Sequence, residues 1–332
     1  GEFNLDTFRI NADYKRDSVV GKFEYRFYPS AGQDNYHFVH TAWLGYDFDN
    51  GDQAQFGVNR VPFGPGAYGV SKSWLFDQHY YVGLSDDMDL GAKYITQQGD
   101  WSIDLAVYAQ DEGDGTGGSS DSNRYSYDVV DESGDGYEEQ GQFNLRAIYS
   151  TEFDDVTADI GGSLQYGILE SNGPQDDGDM FAGSVHGDFK WGNWTLTPQL
   201  TYYNYDVESN SPLGEDLVQM GAYDFPTAVA AEAWIPAVSL SYYYEVSEVD
   251  WIDSITPYAE YSSIMKEADG FNDSDLIVFG SAIARGGWYI YTDLAFSNGN
   301  DFVGTDANFG DNIADGIFQS NRVGANPTDV WE

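Results

Sequence analysis

Apolar and polar residues alternate with a period of two along most of this chain, the pattern of strands with one greasy and one polar face. Phe8, Ile10 and Ala12 share a phase against Arg9 and Asn11, and Val19, Phe23, Tyr25 and Phe27 oppose Lys22, Glu24 and Arg26. Segments 36–46, 53–59, 90–94, 101–107, 143–149, 158–168, 181–191, 194–202, 238–244 and 288–296 repeat it, while 254–265 and 275–285 are strands of ambiguous phase. Fourteen strands are expected.

The connections are of two kinds. Short ones (13–18, 49–52, 97–100, 151–156, 192–193, 247–253, 286–287) alternate strictly with long ones (28–34, 62–89, 111–141, 170–178, 206–236, 267–274, 298–332). A water-soluble sandwich has no reason to sort its loops this way. A transmembrane antiparallel β-barrel of the outer-membrane type does, with short periplasmic turns on one side and long extracellular loops on the other. Such barrels begin and end on the periplasmic side, so the parity of the turns calls for one further strand at each end, about 16 strands with 14 read within this chain. Residues 1–332 then form one barrel domain. One connection is anomalous: the strand 53–59 leads into Val61-Pro-Phe-Gly64 and resumes only at Leu90. An excursion of that length inside a compact domain is usually functional, and loop 64–89 is expected to fold into the lumen. The run 228–234 in loop 206–236 is too apolar for an ordinary exposed loop and is expected to fold inward or cover a neighbouring subunit.

Composition sharpens this picture. The 332 residues carry 56 acidic and 14 basic side chains, a net charge of −42, which disfavours nucleic acid and anionic surfaces as partners. There is no cysteine. Gly1-Glu-Phe-Asn-Leu5 lacks a signal-peptide pattern and resembles the interior of a mature chain. No run of 18 apolar residues could form a membrane helix, which leaves a membrane barrel open because its strands carry only short alternating segments. Tyr and Trp near strand ends (Trp191, Trp194, Tyr202, Tyr242, Trp251, Trp288) suit aromatic girdles at the membrane interfaces.

Enzymatic motifs are absent. Gly113-Asp-Gly-Thr-Gly-Gly118 matches G-x-G-x-x-G, yet no apolar helix follows, and 111–141 holds ten acidic residues against Arg124, so it is expected to be an exposed loop. His37, His40, His79 and His186 show no zinc spacing, and there is no G-x-S-x-G elbow. No cofactor is expected, although the acid-rich turns 47–52, 131–139 and 267–275 could take Ca²⁺, a cation that prefers carboxylate oxygens.

Basic residues are few and uneven: eight of the fourteen precede residue 94. Charges at lipid depth cost about 2–4 kcal/mol, so Lys22, Arg26 and Lys93 are assigned to the lumen, with Arg60 and Lys72 at or in the inserted loop. These five are the expected basic side of a constriction, and Asp104, Asp159 and Asp188 the acidic side, on strands farther round the ring, where opposed charges would set a transverse field.

At Val61-Pro-Phe-Gly64 the chain resembles the phosphate-selective porin O/P family of Gram-negative outer membranes, in which a similar motif leads into the constriction loop. The return strand near Leu90, the turn at Gly99, the Trp101 strand and Tyr258-Ala-Glu-Tyr-Ser262 after Trp251 are also similar. The resemblance implies a sixteen-stranded homotrimeric porin in the outer membrane, passively admitting small hydrophilic solutes or ions. Phosphate-selective members line the pore with many arginines and lysines, and this chain has few. A phosphate- or anion-selective channel, an oligosaccharide channel whose tyrosines form a stacking slide, and a soluble acidic all-β binding protein are the alternatives; an outer-membrane hydrolase is the enzymatic one, against which the missing nucleophile motif weighs.

Overall fold

The computed structural model describes residues 7–298 apart from 30–34, 210, 248, 270 and 272. The strands are β1 (Phe8–Arg16), β2 (Val19–Tyr28), β3 (Tyr36–Asp47), β4 (Gln53–Arg60), β5 (Met88–Gln98) and β6 (Trp101–Asp111). Then follow β7 (Asp128–Val129), β8 (Tyr137–Phe153), β9 (Val156–Ser171), β10 (Gly178–Trp191), β11 (Trp194–Asp206), β12 (Leu217–Ala222) and β13 (Phe225–Ala230). The last are β14 (Glu232–Tyr242), β15 (Tyr244–Glu245), β16 (Ser254–Lys266), β17 (Ser274–Arg285) and β18 (Trp288–Asn298).

Fourteen of these make one antiparallel meander, β1-β2-β3-β4-β5-β6-β8-β9-β10-β11-β14-β16-β17-β18, each strand paired with its neighbours in sequence, and short β15 adds to β16. They are the fourteen strands expected from alternation. The two closing strands expected from parity, and loop 298–332 beyond Asn298, lie outside the described residues. The short turns are tight because their residues accept left-handed backbone: Asp17 (φ 52°), Gly99 (φ 62°), Asp154 (φ 50°), Gly192 (φ 55°) and Gly286 (φ 53°).

The sheet is inside out. Its apolar phase is exposed, as at Phe23, Leu44, Phe56, Leu105, Phe143, Ile160, Leu164, Val185, Leu200, Phe279 and Leu294. Its polar phase is buried, with Asn144 and Thr201 at 0%, Ser239 at 1%, Ser163 at 2% and Gln165 at 3% exposure. An exposed apolar surface of this extent is untenable in water, whereas a bilayer covers it. Trp101 packs on Tyr149 (5.1 Å) and Trp194 on Tyr242 (4.8 Å) beside the short turns, and Tyr202 packs on Trp234 (5.0 Å) toward the loop end, as interfacial girdles do. No helix among the described residues is long and apolar enough to span a membrane.

The long loop 207–231 differs from its expectation. It holds the hairpin β12–β13, which with β7 forms a separate three-stranded sheet. The apolar run divides between Ala228–Ala231, fully buried in this sheet, and the start of β14, which begins six residues earlier than alternation suggests. Pro236 obscures that start, since proline is rare within strands; here it lies opposite Leu200.

Gly57 and Gly91 face each other across β4 and β5 at the root of the inserted loop. Gly57 holds φ 123°, and a Cβ there would meet the Ala42 carbonyl oxygen at 2.2 Å; a Cβ on Gly91 would meet the Val107 carbonyl oxygen at 2.2 Å. Gly57→Ala is expected to destabilise the barrel by about 1–3 kcal/mol, read as a lower midpoint temperature in a heat-modifiable gel-mobility assay. An unchanged midpoint would show that this close approach is dispensable.

Candidate pore constriction

Strand β4 ends at Arg60, and Val61-Pro-Phe-Gly64 turns the chain away from the wall. Gly64, at φ 69°, donates its N–H to Ser163 Oγ on β9 (3.1 Å). The loop then visits one wall strand after another. Ser71 Oγ and the Lys72 N–H donate to Glu260 on β16 (2.8 and 2.5 Å), which also accepts from Ser239 Oγ on β14 (2.9 Å). The Trp74 N–H donates to Asp293 on β18 (3.3 Å), and the Gln78 N–H to Ser262 Oγ on β16 (3.2 Å). A segment leaving β4 and hydrogen-bonded to β9, β16 and β18 can only run inside a curved sheet. The expected lumen loop is therefore present.

Two devices hold the loop's own shape. Asp77 accepts from the Val70 N–H (2.8 Å) and the His79 N–H (2.9 Å), and its Oδ1 lies 2.9 Å from His79 Nδ1, while His79 Nε2 lies 2.8 Å from Thr201 Oγ1 on β11. Although Asp77, His79 and Thr201 are linked like a nucleophilic relay, His79 and Thr201 are fully buried, so the chain acts as an anchor. The second device is aromatic. Tyr80 and Tyr81, in a 3-10 turn closed by Gly83 (φ 72°), pack with Tyr125, Tyr127 and Tyr223 from the loops 112–136 and 207–231. Tyr80 and Tyr223 hydrogen-bond through their hydroxyls, and Tyr205 donates to the Val82 carbonyl (3.0 Å). Three long loops thus converge over the lumen.

Arg124 organises the cap. Its guanidinium is 2% exposed and contacts Asp111 and Asp121 (both 2.5 Å), Asp128 (3.2 Å) and Asp114 (3.3 Å). Burial alone would lower its pKa; Asp111 and Asp128 outweigh that and keep it charged. Burial raises the carboxyl of Glu112, with nearby Asp128 adding to it, and pushes half-exposed Asp114 up to about 6. The glycine-rich segment 113–118 is not a free loop. The N–H groups of Gly118 and Ser119 cradle the Asp224 carboxylate (2.8–2.9 Å), so a backbone anion nest is filled by the protein's own acid.

Of the expected basic residues, Arg26 and Arg60 meet at the loop root. Arg26 is buried, pairs with Glu24 (2.6 Å) and stacks on Tyr125 (4.1 Å). Tyr125 donates to Asp86, which pairs with Arg60 (2.6 Å). Burial raises the Asp86 carboxyl, and Arg60 works against it. Lys93 donates to the Arg60 carbonyl (2.6 Å). Lys22 and Lys72 are exposed and carry no ion pair among the described residues; Lys22, Arg9, Arg26 and Arg60 all lie within electrostatic reach of His40.

The acids fall elsewhere than expected. Asp104 is not across the lumen from the basic residues: β6 is hydrogen-bonded to β5, and Asp104 pairs with Arg146 on β8 (2.5 Å) on the same side as Lys93. Asp159 and Asp188 face each other on β9 and β10 near the short turns, where Asp159 accepts from Ser150 Oγ (2.6 Å) and Asp188 pairs with Lys190 (3.4 Å). The acids that touch the inserted loop are Asp86, Glu260 and Asp293. Strand alternation puts Asp293 on the inward, polar phase, but it gives no height along the barrel and so does not join Asp293, Asp86 or Glu260 to the inserted loop. The run Asp86-Asp87-Met88-Asp89 beside Arg60's own hairpin was the one local signal.

No protein-family model matches the sequence, and no curated protein does either. Solved structures do resemble the fold. The outer membrane channel DcaP of Acinetobacter baumannii aligns over 88% of this chain and 77% of its own, with TM-score 0.55 and 13% identity. OmpF of Salmonella typhi, solved with daunomycin, aligns over 96% and 86% (TM-score 0.51, 12% identity), and an anion-selective porin from Comamonas acidovorans over 95% and 84% (TM-score 0.50, 12% identity). At these identities the likeness establishes a fold: the described residues form the wall and inserted loop of an outer-membrane porin-type β-barrel.

Proposed function

We propose that this chain is a passive diffusion channel of the Gram-negative outer membrane, admitting small hydrophilic solutes or ions past a loop-narrowed, charge-lined constriction. The observation that carries the reading is the path of the 61–87 loop, anchored to β9, β11, β16 and β18 across the lumen. A loop tied to opposite walls narrows a passage without chemistry of its own. The exposed basic residues Lys22 and Lys72, with Arg9 nearby on β1, are the groups free to act on a passing ion, because Arg26, Arg60 and Arg146 are each matched by a carboxylate. Phosphate selectivity, the finer meaning of the resemblance at Val61-Pro-Phe-Gly64, gains little support from arginines so engaged. A homotrimer, also implied by that resemblance, is the assembly to test by light scattering in detergent.

Planar bilayer recordings test the channel. Stepwise conductance is expected, and Lys22→Glu and Lys72→Glu are each expected to move the reversal potential in a KCl gradient toward cations. A folded, heat-modifiable protein that inserts and never conducts would overturn the proposal. Glu260→Ala removes the acceptor shared by Ser71, Lys72 and Ser239 and is expected to loosen the loop, raising open-channel current noise with little change in barrel stability. Noise identical to the parent would place the loop's anchorage elsewhere.

A further inference from the structure

Behind the constriction lies a cluster that the pore does not use. Asp87 at the end of the inserted loop, Asp89 on β5 and Asp128 on the cap strand β7 each place a carboxylate oxygen within 4.8 Å of one from the other two. They are 4%, 1% and 1% exposed. Asp89 uses Oδ2 to accept from Gln142 Nε2 (2.9 Å), and Asp128 Oδ2 accepts from Arg124 (3.2 Å). Asp87 Oδ1 and Asp89 Oδ1, however, have no hydrogen-bond partner. Buried polar atoms are nearly always satisfied, and an orphaned carboxylate oxygen asks for an unseen donor or ion.

From this geometry we infer that Asp87, Asp89 and Asp128 bind a calcium ion that clamps the root of the inserted loop to the cap. Calcium takes carboxylate oxygens at about 2.3–2.6 Å in irregular geometry, so ligand oxygens within 4.8 Å of one another can share one ion. Arg124 already offsets part of the Asp128 charge, which leaves Asp87 and Asp89 as the uncompensated pair. The ligands come from two segments, Asp87 and Asp89 at the junction of the inserted loop with β5 and Asp128 on β7, so the ion would join two strands that do not pair with each other. The acid-rich turns singled out in the sequence are poorer candidates, because their carboxylates serve their own turns: Asp131 Oδ1 accepts from the Gly134 N–H (2.8 Å), and Asp52 from Asn50 (2.7 Å) and Tyr94.

The test is calorimetric titration of the full barrel in detergent with CaCl₂ after chelator treatment, in enough NaCl to screen the exposed acids. One saturable site per chain is expected. Asp87→Asn and Asp89→Asn should weaken it by at least the roughly 10–100-fold that even an outer-shell change costs, and Asp49→Asn in the β3–β4 turn should leave it unchanged. Calcium should also raise the midpoint of heat-modifiable mobility in the parent and not in the Asn variants. If neither Asn variant folds, Gln142→Ala, which releases Asp89 without removing a ligand, should weaken binding within that range. A parent chain with no saturable site overturns the inference, as does loss of the site in Asp49→Asn while it survives in Asp89→Asn.

Discussion

Every polar group facing the lumen of this barrel must find a partner or water, and here a crossing loop supplies many of the partners. Ser163, Thr201, Ser239, Glu260 and Ser262 come from four wall strands, and each bonds to the 61–87 loop or to a group that does. That exchange lets the sheet turn its polar phase inward while its apolar phase meets lipid. The narrowness of the passage follows from the same bonds, because a loop tied to opposite walls has little room to swing aside.

The charge distribution follows from burial rather than from net charge. A chain of −42 would be expected to treat its scarce cations as free agents, yet the most buried ones are neutralised. Arg124 gathers four aspartates, and Arg26, Arg60 and Arg146 each take one acid. A guanidinium withdrawn from water needs such partners, since an unpaired buried charge is far costlier than a paired one. Lys22 and Lys72, by contrast, stay exposed with no ion pair among the described residues. The arginines serve chiefly as rivets between loop, cap and wall.

The cap follows a related logic. Loops 112–136 and 207–231 carry too few apolar residues for a core of their own, and they acquire one by burying Tyr125, Tyr127, Tyr223, Val229 and Ala231 in one cluster with Tyr80 and Tyr81. Their acids fold inward with them, which is why carboxylates concentrate at Asp87, Asp89, Asp128 and Glu112 instead of dispersing into solvent.

Much of this was written in one dimension. Period-two alternation marked twelve wall strands clearly and 254–265 and 275–285 with ambiguous phase, because the bilayer and the lumen impose opposite demands on successive residues. Loop-length alternation gave the barrel, and Val61-Pro-Phe-Gly64 marked where the chain leaves the wall. Alternation also put Lys22, Arg26, Lys93 and Asp104 on the polar phase. What it lacked was height and azimuth. Alternation alone sets Asp104, Asp159 and Asp188 on an acidic side farther round the ring, yet Asp104 lies on the strand paired with that of Lys93 and bonds Arg146, and Asp159 and Asp188 sit near the short turns. The Arg124 cluster is local in sequence, its four aspartates within 13 residues, whereas the anchors His79–Thr201 and Ser71–Glu260 join residues 122 and 189 positions apart, and Asp128 meets Asp87 and Asp89 from 41 and 39 positions away. Such long-range pairs leave no periodic trace in the sequence, because they are chosen only when the loops fold into the space that the curved wall leaves them.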